Sequence, residues 1–157
     1  MDPRERLRRL LPGLWCGLLL AIALIATPAA SGALERTAFG AVARAIFARE
    51  APASLLLGML ILMLERRAAL ERHRATGVSQ FSAEMMLAIG ALFCTVVGYY
   101  ALEPLMEQAR SGAATALTFM QVHAVSLAFF GAKGLLALAL AWRATRPAPR
   151  QDVRPSS

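Results

Sequence analysis

The chain has 157 residues, 57% hydrophobic and 17% charged, where soluble domains carry about 45–50% apolar and about 25% charged residues. That is a membrane composition, with room for one small helical domain and no second. The formal charge of +7 arises from sixteen Arg and one Lys against ten acids. The Arg residues stand at the ends of apolar runs, not in a basic groove with stacking aromatics, so they speak for lipid and topology and against nucleic acid. Cys16 and Cys94 both fall inside apolar runs, with no disulfide framework or zinc spacing.

Residues 1–9 form a basic N-terminus with Arg4, Arg6, Arg8 and Arg9. The apolar run over about 10–30 reaches the ~20 residues needed to cross ~30 Å of hydrocarbon and reads as the first span. A basic start, a short apolar core and small residues at Ser31, Gly32 and Ala33 also fit a secretory signal peptide. The remainder is itself membrane-embedded, which favours a retained span, and cleavage would leave three spans with the same orientation.

In residues 33–50, apolar positions 39, 42, 43, 46 and 47 follow the helical i, i+3, i+4, i+7 pattern. Glu35, Arg36, Thr37, Arg44, Arg49 and Glu50 read as lying off that stripe, which predicts an amphipathic helix in the interface or packed on the spans. The second span, about 51–66, is short. Extension back through Ala45, Ile46 and Phe47, or snorkelling by Glu65 and Arg66, would relieve the mismatch.

Ser79 and Ser82 are candidate N-caps for the third span, about 83–103, with Glu84 near the positive end of the helix dipole. Tyr99 and Tyr100 suit an interfacial aromatic belt, and Glu103-Pro104 closes the run. The short connection 105–115 forces spans three and four to be antiparallel neighbours. The fourth span covers 116–142, and the Pro-rich polar segment 143–157 reads as a disordered cytoplasmic tail.

Twelve Arg residues fall on the side of the two termini and the middle loop and four on the other. The positive-inside rule then puts both termini in the cytoplasm of a bacterium, with the domain in its inner membrane. The expected fold class is all-α, an integral membrane four-helix bundle with an additional amphipathic helix between spans one and two.

Candidate chemistry gathers in the outer half. Glu103 closes span three, and His123 lies about seven residues into span four from the same side, or ~10 Å, with Ser126 one turn deeper. Glu103, His123 and Ser126 could form a polar notch in which the carboxylate fixes a ring nitrogen. The plain alternative is a structural interhelical hydrogen bond, worth ~0.6 kcal/mol on average in membranes. Lys133, the single lysine, has a stem long enough to snorkel to the headgroups and reads as an anchor. Gly131, Ala132 and Gly134, with Gly13 and Gly17, would let helices approach closely. Met59 and Met63 share a helix face, and Met120 precedes His123 by one turn, a set that suits soft metal ions. Met as gap-filler is the simpler reading. Nothing resembles a phosphate loop, HExxH or a Ser-His-Asp arrangement, so neither an enzyme nor a cofactor is implied.

These residues resemble the small four-helix membrane family that groups bacterial proteins of unknown function with the eukaryotic transmembrane protein 205. The matching pieces are TAFGAVARAIF at 37–47, the LEP at 102–104, and HAVS at 123–126, where the family commonly reads HGLS. Many members place an Asn one turn below the Ser, where this chain has Phe130. The resemblance implies a four-helix membrane domain and, through the eukaryotic member, a link to export or tolerance of platinum drugs, without a substrate.

Two functions are therefore expected. One is a transport-related or metal- and drug-tolerance protein whose notch opens outward to a small-molecule or metal ligand, with a homo-oligomer supplying the permeation path. The other is a non-transporting assembly or interaction protein whose polar groups only fix helix packing, which predicts a dry bundle without a cavity near His123.

Overall fold

Four apolar runs become four helices long and apolar enough to cross a bilayer: α1, Pro3–Ala33; α2, Arg36–Thr76; α3, Ala83–Arg110; α4, Phe119–Ala144. The computed structural model describes residues 2–112 and 117–145, and no strand occurs among them. Residues 113–116 of the last connection, and all of the expected tail beyond residue 145, lie outside the described residues.

Local chemistry sets the helix ends. Asp2 accepts the Arg4 N–H at 3.2 Å, and Pro3 takes the first helical position, where its missing N–H costs nothing. The α2 helix stops at Gly77, whose φ of +70° is the left-handed conformation that glycine adopts freely, and its N–H donates to the His73 carbonyl. Ser82 accepts the Met85 N–H at 3.2 Å, as expected of a cap for span three. Thr118 and Gln121 form a reciprocal capping box at the start of α4.

Two helices run through internal prolines by way of π turns. The α1 helix contains a π turn at Ile22–Ala26, ahead of Pro28, and α3 contains one at Val96–Ala101, ahead of Pro104. A proline inside a helix lacks its N–H and presses its ring on the carbonyl four residues back. Wider i→i−5 bonding relieves that crowding, and Thr27 N–H accordingly donates to the Ile22 carbonyl. The Leu102-Glu103-Pro104 segment therefore does not close α3, which continues to Arg110.

The amphipathic helix expected at 33–50 is not a separate element. Residues 36–50 run through Pro52 into span two as one 41-residue helix. No glycine or turn-forming pair breaks the chain there, and exposed Pro52 removes a single helical bond. The apolar stripe continues in register as Glu50, Ser54, Gly58, Ile61, Glu65 and Ala69, all buried. At 1.5 Å per residue the helix is roughly 60 Å long, about twice the hydrocarbon thickness, so its ends project beyond it.

Each helix packs on its successor in sequence, and α4 closes the ring against α1. The core comprises Leu11, Trp15, Cys16 and Leu19 of α1, Ile61 of α2, Ala88 and Ala91 of α3, and Ala137 and Leu140 of α4. The α2 and α4 helices face each other across the diagonal, without the close backbone approach of the four neighbouring pairs. Large apolar residues such as Leu24, Leu127 and Leu135 cover the outside, as a lipid-facing surface requires.

Ion pairs mark two levels. At the end holding the chain's N-terminus, Arg8 meets Glu65 at 3.2 Å and Arg143 meets Glu84 at 2.7 Å. At the other end, Glu107 receives Arg44 at 3.1 Å and Arg110 at 2.9 Å. On α2, Arg44 and Glu65 are separated by roughly 31 Å of helix, the thickness of the hydrocarbon between them.

A Cβ on Gly58 would lie 2.7 Å from Leu92 Cδ2 and 2.9 Å from the Trp15 ring, whereas one on Gly131 would meet nothing within 4 Å. Gly58→Ala should therefore lower unfolding stability in detergent by about 1–3 kcal/mol, with Gly131→Ala close to neutral. Equal effects of the two substitutions on the unfolding midpoint would contradict this packing.

Candidate functional site

An unpaired charge in hydrocarbon is costly, so an ionisable group there must find a partner, and such groups mark function by default. Along α4 the inward stripe runs through Val122, Ser126, Phe130, Lys133, Ala137 and Leu140 at three- and four-residue steps. Lys133 thus points into the bundle, ten residues and roughly 15 Å of helix from the Arg143 level. It is 4% exposed. The expected headgroup anchor is not formed, because snorkelling requires a position on the outer face.

Its partner is Glu50, also 4% exposed, on the stripe of α2. Lys133 Nζ donates to Glu50 Oε1 at 2.7 Å. The same carboxylate oxygen accepts the hydroxyl of Ser54, one turn along α2. Ser54 Oγ in turn accepts the Trp15 indole N–H from α1 at 2.8 Å. Trp15 and Ser54 are both 0% exposed. Lys133 Nζ also lies 4.9 Å from the centroid of the Phe130 ring, which meets Phe47 edge-on at 5.4 Å. Three helices are thereby tied by one chain of donors ending on one carboxylate. Among the described residues no buried side-chain nitrogen or oxygen lacks a hydrogen-bond partner.

The reading that sets Glu50 off the apolar stripe is corrected here. Position 50 follows 46 and 47 by four and three residues, the same spacing that identified the stripe. That register was the signal available in the sequence, and the charge obscured it.

The expected notch is not assembled. Glu103 turns towards α2, beside Tyr99 and Arg44. His123 is exposed and stacks on Phe119, one turn earlier on its own helix, with ring centroids 5.9 Å apart. Ser126 alone joins the two helices, donating to the Gly98 carbonyl at 3.1 Å. Gly98 permits this because a Cβ there would lie 3.0 Å from Phe129. Among the described residues no hydrogen bond or ion pair connects Glu103 to His123. Met59, Met63 and Met120 are exposed, the first two on α2 and the third near the start of α4. Among the described residues no three His, Cys, Asp or Glu gather where they could hold a metal ion.

A shallow, wide-open groove of about 370 Å³ lies between the first half of α2 and α3, lined by Ala41, Arg44, Ala45, Ala48, Tyr99 and Glu103. It reaches neither His123 nor the ion pair.

A family model described as a domain of unknown function, DUF4149, matches residues 10–115. The matched stretch includes Trp15, Glu50 and Ser54 and ends before Lys133. No curated protein and no solved structure matches the chain.

Removing one partner of a buried ion pair strands the other charge, which typically costs about 3–5 kcal/mol. Glu50→Ala should show a loss of that order in detergent unfolding, and Trp15→Phe, which removes only the indole donor, about 1 kcal/mol. A Glu50→Ala effect no larger than that of Trp15→Phe would contradict the arrangement.

Proposed function

We propose that this chain, which belongs to the DUF4149 family, works as a non-transporting assembly module of the membrane. It is a small multi-pass membrane protein with four apolar helices. The assembly reading is supported by one observation above others: the centre of the bundle is filled by a mutually satisfied chain, Trp15–Ser54–Glu50–Lys133, and not by space. A fixed interior leaves the outer surface as the working surface, towards lipid or other membrane proteins, a second copy included.

The rival reading, transport or metal and drug tolerance, keeps one specific support. Ionisable residues within the hydrocarbon layer are the usual markers of ion and proton paths, and a transported cation could compete with Lys133 for Glu50. The likeness of TAFGAVARAIF, LEP and HAVS to the transmembrane protein 205-like group points the same way. Reconstitution in vesicles separates the two. The assembly reading predicts that proton and monovalent-cation gradients decay no faster than in protein-free vesicles. A faster decay that Glu50→Leu/Lys133→Met abolishes would overturn it in favour of transport.

The proposed setting is a bacterial inner membrane with both termini in the cytoplasm. Arg4, Arg6, Arg8, Arg9, Arg66, Arg67, Arg72, Arg74 and Arg143 lie at one end of the bundle, against Arg36, Arg44, Arg49 and Arg110 towards the other. A reporter fused at Gly112 should be active only if exported. Cytoplasmic reporter activity at Gly112 would reverse the topology.

A further inference from the structure

Within the hydrocarbon layer, two charged side chains on the lipid-facing surface have no ion-pair partner among the described residues. On α2, Arg49 stands five residues inside the Arg44 level, roughly 7 Å of helix deeper. It is exposed, and its hydrogen bond among the described residues runs from Nη1 to the Ala45 carbonyl of its own helix, at 3.1 Å. On α3, Glu103 stands four residues inside Glu107, the acid that holds Arg44, and so roughly 6 Å deeper. It is half-buried, and no hydrogen bond or ion pair reaches it among the described residues. Arg44 and Arg110 equal Glu103 and Glu107 in number, but both arginines converge on Glu107. A charge at this depth without a direct partner is costly, so each of the two calls for one from outside the chain.

The two groups are opposite in sign, share a depth and flank one edge of the bundle. Between them the α2 surface consists of Ala41, Ala45 and Ala48, all exposed, which lets another helix approach closely. A lipid headgroup can take up Arg49, whose long stem snorkels outward, but not Glu103, whose short stem ends below the headgroup level. A second copy of this chain in the same orientation carries the same two charges at the same depth. A two-fold axis along the membrane normal, passing between Arg49 and Glu103, sets each group opposite its counterpart, and both contacts form together.

We propose that this chain forms a parallel two-fold dimer through the α2–α3 edge, in which Arg49 of each copy pairs with Glu103 of the other across the wall of Ala41, Ala45 and Ala48. The inference rests on the assembly reading, in which the outer surface is the working surface, and names the partner and the face. The charges select the partner, and the alanines allow the approach.

Single cysteines test this in the full-length protein reconstituted in lipid vesicles, because Cys16 and Cys94 are buried. Under a mild oxidant Ala45→Cys should cross-link two copies, whereas Met120→Cys, exposed near the same membrane edge on α4, should not. Added to Ala45→Cys, either Arg49→Glu or Glu103→Arg sets like charges against each other and should weaken dimerisation about tenfold. Mixing those two variants should restore the cross-link between unlike copies, since every contact then joins opposite charges, and this recovery shows that both are folded. Cross-linking no stronger at Ala45→Cys than at Met120→Cys, or no recovery in the mixture, would overturn the dimer; capture of Arg49 by lipid alone predicts the second result. Failure here in vesicles that hold their ion gradients removes this interface and leaves the assembly reading standing, whereas leaking vesicles remove that reading itself.

Discussion

The structure depends on a single electrostatic constraint, the contact of Lys133 with Glu50 inside the hydrocarbon layer. Neither side chain can be left alone there, because water is not available to solvate it. The pair crosses the diagonal of the bundle, where the α2 and α4 backbones do not approach closely. Long side chains bridge that gap, and Phe47 with Phe130 fills the space beside them. Ser54 and Trp15 add directional hydrogen bonds, so α1 is fixed in rotation and height together with α2 and α4. In a bilayer, where apolar faces gain little by meeting one another, such a polar junction supplies register that hydrophobic packing does not.

Helix continuity is the second organising feature. Prolines that would end helices in water are carried through the bundle, two of them by adjacent π turns. Continuity of α2 through Pro52 joins the segment carrying Arg44 and Glu50 to the buried residues Ser54, Gly58 and Ile61 on one element. The same helix therefore contributes both to the closed interior and to the groove at the membrane edge. Glu103 reaches that groove because α3 also stays helical past the point where its apolar run ends.

Much of this architecture is legible in the sequence, and the misses have physical reasons. Run length against bilayer thickness identifies all four spans, and Ser82 is recognisable as a cap. A proline at 52 and a change in charge density look like the boundary of a separate amphipathic helix, although neither removes more than one backbone bond. At Lys133 the stem length is visible in the sequence, while the face it projects from emerges only from the spacing of the stripe. Counting Val122, Ser126 and Phe130 places it inward, which rules out snorkelling. At Glu50 the charge masks a position that the spacing of the stripe places inward. A lone inward lysine in hydrocarbon implies an inward acid as its partner. The Glu103–His123 pairing rested on matching depth, and depth does not specify azimuth: the two side chains lie on different sides of the α3–α4 contact.

Function follows from which surfaces are closed and which are open. The interior is tied shut by polar bonds that satisfy one another, and the groove beside Arg44 and Glu103 is exposed to the bilayer. The central claim is that Glu50 and Lys133 act as one unit. A double-mutant cycle on Glu50→Leu and Lys133→Met, read by reversible unfolding in micelles, tests it most directly. The account predicts a coupling energy well above the ~0.6 kcal/mol average for polar pairs in membranes, with the double variant more stable than either single one. Additive losses, each variant destabilised as if the other residue were absent, would contradict it.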